Sequence, residues 1–266
     1  MTSLKELMDM KGRVALITGA TGGLGKIFSE TLAELGADLL LVDRPGTDIK
    51  DFAISIATSW NISVKEIYCD LEDQKSRSNL AQEVNTLGRL NVLINNAAFV
   101  GTSELTGWAV PFEKQNIETW RRAFEVNLTA VFDLCQSFAP ILKNAKGASI
   151  INVASIYGLL GPDWRLYEGT TMGNPAAYAA SKGGLIQLTR WLATTIAPHV
   201  RVNAISPGGV FREQPEVFVN RYETRTPLGR MASEDDFRGV VAFLASDMSR
   251  YVTGQNLAVD GGWVAW

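Results

Sequence analysis

Val14-Ala15-Leu16-Ile17-Thr18-Gly19-Ala20-Thr21-Gly22-Gly23-Leu24-Gly25 is the stretch on which the fold turns. A short apolar run passes straight into glycines, and a helical pattern follows as far as Gly36. Gly19 permits a tight turn, and Gly23 and Gly25 let a phosphate and the sheet approach the backbone closely. A helix that starts here aims unpaired N–H groups and a positive dipole end at a pyrophosphate. Glycines of this kind also serve plain turns. Their place between a strand and a helix is what favours the phosphate reading.

Outward from this stretch the same rhythm recurs. Apolar runs at Leu39–Val42, Val64–Cys69, Val92–Ile94, Ser149–Val153, Val200–Ile205 and Asn256–Val259 are separated by helix-length segments. Short runs apolar on every residue are strands buried on both faces, as in a parallel sheet. Right-handed crossovers then place helices on both sides. The expectation is an α/β fold with a seven-stranded parallel, doubly wound sheet. No Pro- or Ser-rich linker and no repeat divides the sequence, so residues 1–266 read as one domain, with residues 1–10 a short N-terminal extension.

Composition narrows the function classes. The chain has 266 residues, 46% hydrophobic and 20% charged, which suits a globular core and not a disordered chain. With 25 basic and 28 acidic side chains the net charge is −3, a poor footprint for nucleic acid. Two cysteines make no disulfide framework, and a single histidine, His199, gives metal chemistry nothing to work with. No run of 18 apolar residues suggests a membrane span, and the first ten residues do not read as a signal peptide. A cytoplasmic protein with a small-molecule substrate is expected.

Asp43 closes the second strand, eighteen positions beyond Gly25. That is near the spacing of a carboxylate that holds adenosine ribose hydroxyls. It would also repel the 2′-phosphate of NADP, and like charges so placed cost several kcal/mol. NAD is therefore favoured, although Arg44 next door is a possible 2′-phosphate partner. Tyr178 and Lys182 lie at i and i+4 of a helix expected from about Ala176 to Ala197, hence on one face. A phenol ionises near pH 10, so acid–base work around neutrality asks for a lowering of about three units, or ~4 kcal/mol. A neighbouring ammonium supplies part of that. Ser155 follows the fifth strand at the carboxyl rim, where ligands bind in open α/β sheets. Asn95-Asn96-Ala97-Ala98 and Pro207-Gly208-Gly209-Val210 end the fourth and sixth strands at the same rim.

These motifs, in this order, resemble the classical branch of the short-chain dehydrogenase/reductase family, from about Lys11 to Trp263. The resemblance implies a Rossmann fold and NAD(P)-dependent chemistry on CH–OH groups. It implies Tyr178 as proton donor and acceptor, with Lys182 orienting the ribose and lowering the phenol pKa. Ser155 would position the substrate oxygen, and Asn127 would hold a water linking Lys182 to solvent. The implied cofactor-binding set is Gly19, Thr21, Gly22, Gly23, Leu24, Asp43, Asp70, Leu71, Asn96, Ala97, Ala98, Tyr178, Lys182, Pro207, Gly208 and Val210. Two positions depart from the family pattern. Ala98 replaces a glycine, and Arg212 stands where a threonine commonly contacts the nicotinamide amide.

In the family, apolar faces such as those of the Tyr178 helix and a Trp120–Phe138 helix build homodimers and homotetramers. The loop at about 158–176 is some ten residues longer than the family norm and lies between Ser155 and Tyr178. A loop at this rim is expected to reach the substrate, with Asp163, Arg165, Tyr167 and Glu168 meeting hydroxyls and Arg165 joining Arg212 on a phosphate or carboxylate. This loop and the tail resemble, more loosely, dehydrogenases of surface-sugar or flagellin modification. The expected activity is NAD-dependent interconversion of a secondary alcohol and a ketone on a polar, sugar-like substrate. The alternatives are an NADPH-dependent 3-oxoacyl thioester reductase and a non-catalytic NAD(H)-sensing regulator.

Overall fold

A computed structural model describes residues 2–100 and 105–266. Helix α1 (Leu4–Met8) begins in a reciprocal cap between Ser3 and Glu6. Strands β1 (Val14–Thr18), β2 (Asp38–Asp43), β3 (Val64–Tyr68), β4 (Val92–Asn95), β5 (Ala148–Val153), β6 (Val200–Pro207) and β7 (Asn256–Val259) pair in parallel, in the order β3-β2-β1-β4-β5-β6-β7. Between and after them run α2 (Gly23–Glu34), α3 (Ile49–Trp60), α4 (Gln74–Leu87), α5 (Ile117–Phe124), α6 (Ala130–Lys143), α7 (Ala176–Thr195), α8 (Glu216–Arg225) and α9 (Arg238–Ala245).

The uninterrupted apolar runs have a direct cause. Leu40 and Val42 of β2 face a core shared with α4, α6 and α7, whereas Leu39 and Leu41 face one shared with α2, α3 and α9. Ile150 and Ile151 of β5 divide in the same way. Each such side chain, taken fully out of water, contributes about 1.5–3 kcal/mol. A polar residue at either parity would be buried, so alternation is absent from the sequence. The two cysteines, Cys69 and Cys135, are free and buried.

Strand order reverses between β1 and β4, which opens a crevice outside the carboxyl ends of the central strands. The turns after β1, β4, β5 and β6 meet there. A third apolar cluster stands beside this rim. Leu166 from the long loop packs with Ile156, Phe218, Tyr222, Met231 and Trp263. No helix among the described residues is long and apolar enough to cross a membrane.

One expected helix is interrupted. Between α5 and α6 the chain makes a π-helical turn, Glu125–Thr129, so Trp120 and Phe138 belong to different helices. The wider turn sets Asn127 facing inward, almost wholly buried.

Candidate active site

The crevice is a cleft of about 840 Å³, and it gathers the glycine turn, Asp43, Asp70, Leu71, Asn96–Ala98, Ser155, Tyr178, Lys182, Pro207, Gly208, Val210 and Arg212 along its walls. Its floor is built by the β1 and β4 ends locking together. Thr18 Oγ1 accepts the N–H groups of Asn96 and Ala97, both at 3.1 Å, and donates to the Ile94 carbonyl at 3.3 Å. The Asn96 amide donates in turn to the carbonyls of Thr18 and Gly19, at 2.9 and 3.0 Å. Asn96 is thus a staple for the glycine turn.

The glycines are needed for space. Gly19 has φ +63°, and a Cβ there would stand 2.8 Å from Ala97 Cα. A Cβ at Gly25 would stand 2.0 Å from the Gly19 carbonyl oxygen. Gly22 caps α2 without a side-chain bond, so the first N–H groups of that helix face the cleft unclaimed by any side chain. At one end of the cleft Asp43 is fixed on both oxygens. Oδ2 accepts the Thr21 N–H at 2.8 Å and its hydroxyl at 2.6 Å, and Oδ1 accepts the Arg44 N–H at 2.8 Å. An open helix end, a close-approach turn and a pinned carboxylate in one elongated cleft fit a dinucleotide.

At the other end stand Ser155, Tyr178 and Lys182. Lys182 is almost fully buried and donates to the Val153 carbonyl at 2.7 Å. Burial, with no carboxylate partner among the described residues, draws its ammonium down to about 8. Its Nζ lies 5.7 Å from the centre of the Tyr178 ring. Without a dinucleotide in the cleft, the phenol of Tyr178 is pushed up from its usual value. Burial outweighs the opposing pull of the Ser155 hydroxyl and the Arg212 charge. Ser155 also caps a short 3₁₀ turn, accepting the Tyr157 N–H at 3.2 Å.

Asn127 lies behind this group. Its Oδ1 accepts the Phe99 N–H at 2.7 Å, and its amide donates to Ser181 Oγ at 3.0 Å and the Phe99 carbonyl at 3.4 Å. Both amide hydrogens are directed at protein acceptors. Asn127 ties the wall of the cleft to α7.

The loop residues go elsewhere. Asp163, Arg165 and Glu168, expected at the substrate, line a second pocket with Arg221, Arg225 and Trp266. Asp163 accepts from Arg165 at 2.7 Å and from Arg225 at 2.6 Å, which fastens the loop to α8. Arg165 therefore does not join Arg212, which lies in the main cleft. The apolar draw of Leu166, Phe218 and Trp263 carries the loop sideways onto α8. Tyr167 stays nearer, bonded to Tyr157 through their hydroxyls at 2.5 Å and acting on the Tyr178 phenol.

Two supports escaped sequence reasoning. The Tyr222 hydroxyl accepts the Gly209 N–H at 2.5 Å, and its ring stacks on Trp263 at 4.2 Å, which shapes the turn after β6. Buried Arg77 bonds the Leu71 carbonyl at 2.6 Å and pairs with Asp133 and Glu125 at 2.7 and 2.8 Å. Neither role has a local signal, because each joins distant segments.

A family model described as enoyl-(acyl carrier protein) reductase matches residues 19–264. A solved short-chain dehydrogenase from Leptospira borgpetersenii, with bound NAD+, superposes with a TM-score of 0.82 at 32% identity, over 99% of this chain and 96% of that one. The chain belongs to the short-chain dehydrogenase/reductase family of oxidoreductases. The chain is 34% identical over 257 residues to the trans-4-hydroxycyclohexanecarboxylate dehydrogenase of Sinomonas cyclohexanicum, covering 94% of this chain and 92% of that one. It is also similar to a gluconate 5-dehydrogenase from Burkholderia cenocepacia J2315 solved with NADP and tartrate, with a TM-score of 0.86, 26% identity and coverage of 99% and 100%. Solved neighbours thus hold either form of the cofactor.

Proposed function

We propose that this enzyme is an NAD-dependent dehydrogenase interconverting a secondary alcohol and a ketone on a polar, hydroxylated substrate. The observation that carries the reading is the convergence of Ser155, Tyr178 and Lys182 in one cleft with the pinned carboxylate of Asp43. In this reading the Tyr178 phenolate takes the proton of the alcohol, and the Ser155 hydroxyl holds the substrate oxygen beside it. Lys182, aimed by Val153, holds the nicotinamide ribose, and Asn127 keeps α7 in register with the cleft wall. When bound, the oxidised nicotinamide supplies a hydride-accepting carbon and a positive charge near the phenol. Asp43 takes the adenosine ribose hydroxyls, and its fixed charge opposes a 2′-phosphate.

Two of the proteins similar to this one are named for hydroxylated carboxylates, which agrees with a polar, sugar-like or hydroxy-acid substrate. A second reading, NADPH-dependent reduction of a 3-oxoacyl thioester, draws on Arg44, which lines the cleft next to Asp43. The test is a panel of sugars, polyols, hydroxy acids and acyl thioesters with each cofactor, followed by NAD(P)H absorbance. Turnover of a hydroxylated substrate with NAD supports the first reading; thioester reduction with NADPH alone replaces it.

Assembly as a homodimer or homotetramer through α6 and α7 is part of the proposal. Phe132 and Trp191 are 43% and 55% exposed on these helices. Light scattering after size exclusion would show a single-chain mass if this part is wrong. Two buried thiols fit a reducing compartment such as the cytoplasm.

A further inference from the structure

Arg212 follows β6 in a segment whose backbone is well tied. Phe211 N–H donates to the Ala232 carbonyl at 2.8 Å, and Ala232 N–H to the Gly209 carbonyl at 2.9 Å. Arg212 N–H donates to Gln214 Oε1 at 2.7 Å, and Gln214 Nε2 to the Val210 carbonyl at 2.8 Å. The side chain above this frame is half exposed and reaches back across the cleft to the first turn of α2. A Cβ built on Gly23 would stand 2.6 Å from Arg212 Nη2 and 2.8 Å from Glu234 Oε1.

Protein groups neutralise the half-exposed guanidinium only in part. A guanidinium faces the uncapped start of α2, whose own partial charge is positive, and cations belong at the opposite end of a helix. Glu234 meets Arg212 only through Nε, at 3.2 Å, and among the described residues the terminal nitrogens make no hydrogen bond. An anion between the guanidinium and the α2 N–H groups would satisfy both. Arg212 and Tyr178 line the same cleft, with the first turn of α2 on its opposite wall.

We propose that Arg212 is a clamp on the dinucleotide pyrophosphate, held in readiness by Glu234 and released to the phosphate oxygens on binding. The inference rests on the dinucleotide occupying the cleft. It gives this chain a contact that the threonine more usual at this position cannot make, since a guanidinium offers a planar, bidentate fork to phosphate. Glu234 is then a competitor for the clamp, and removing its charge favours binding.

The test is fluorescence titration of the full-length protein with NADH, and displacement by ADP-ribose or by adenosine, which lacks phosphate. Arg212→Ala and Arg212→Gln should each weaken NADH and ADP-ribose about tenfold or more and leave adenosine unchanged. Glu234→Gln should tighten NADH a few-fold in the unaltered background and have no effect beside Arg212→Ala. Circular dichroism of each variant separates a lost contact from a lost fold, and Arg212→Gln carries the test if the alanine variant is unfolded. Unchanged NADH affinity in a folded variant would overturn the clamp; if the KM of a carboxylated substrate rises instead, the guanidinium serves substrate. Failure of the unaltered protein to bind NADH or ADP-ribose at all would overturn the dinucleotide reading, and the clamp with it.

Discussion

Lys182 Nζ lies 5.7 Å from the centre of the Tyr178 ring, and it donates to the Val153 carbonyl at 2.7 Å. The two side chains share a helix face, as their i,i+4 spacing requires, yet the ammonium is anchored to β5. Its charge sits in the wall between strand and cleft with no carboxylate partner among the described residues, and burial draws its pKa down to about 8.

That placement has a measurable cost. An unfolded lysine ionises near 10.4, so the folded chain binds fewer protons between about pH 8 and 10.4. Stability referable to Lys182 is therefore lowest below pH 8, rises through this window and levels off above it. Lys182→Met should stabilise the cofactor-free protein by about 1–3 kcal/mol at pH 7, less whatever the orphaned Val153 carbonyl costs. The gain should vanish by about pH 10.5. Thermal melts across this range check the sign. A variant less stable at pH 7 would mean that the anchoring bond outweighs desolvation.

In the proposed mechanism the Tyr178 phenol, pushed up by burial, sets the pH dependence of catalysis. Alcohol oxidation needs the phenolate as base, and ketone reduction needs the phenol as acid. Oxidation should therefore climb in kcat/KM as pH rises from 7 towards 10, while reduction holds level and then falls. Parallel pH profiles in both directions test this. Oxidation that declines over that interval would exclude Tyr178 as its base.

Asp43, proposed to take the adenosine ribose, is held by Thr21 and by the Arg44 backbone. Asp43→Ala should weaken NAD and relieve the repulsion of NADP. The ratio of kcat/KM for NAD over NADP should fall at least tenfold, the scale of one like-charge contact. An unchanged ratio would put cofactor choice in other residues.

Asp163 bridges Arg165 and Arg225, and these guanidinium groups hold its carboxyl well below the usual carboxylate range. The stabilisation is present at neutral pH and is lost as pH falls below that range. Asp163→Asn should cost about 1 kcal/mol at pH 7, since both partners are partly screened by water. The difference should shrink on acidification, and KM for substrate should not move. A raised KM would return the loop to the substrate site.

How much of this was legible in the sequence depends on how far each cause lies along the chain. The strands were readable because Leu39 to Val42 are buried on both faces, which leaves an unbroken apolar run. The glycine turn, Asp43 and the Tyr178–Lys182 spacing were readable because their causes are local. The π turn at Asn127 was not, since an i→i+5 bond leaves no mark on a helical hydrophobic pattern. Nor was the docking of the long loop, because Leu166 finds Phe218 and Trp263 more than fifty residues away. The burial of the phenol was not legible for a related reason: spacing shows that a lysine is near, but desolvation and the bond from Lys182 to Val153 exist only in the folded chain.

The central claim is that Tyr178 transfers the proton beside a bound dinucleotide. Tyr178→Phe removes one oxygen atom and leaves the ring packing in place. Its turnover with a substrate of the unaltered enzyme, measured together with its NADH affinity, is the direct test. Loss of kcat by a factor of about 100 or more with NADH affinity within two- to three-fold of the original is the predicted result. Turnover comparable to that of the unaltered protein would contradict it.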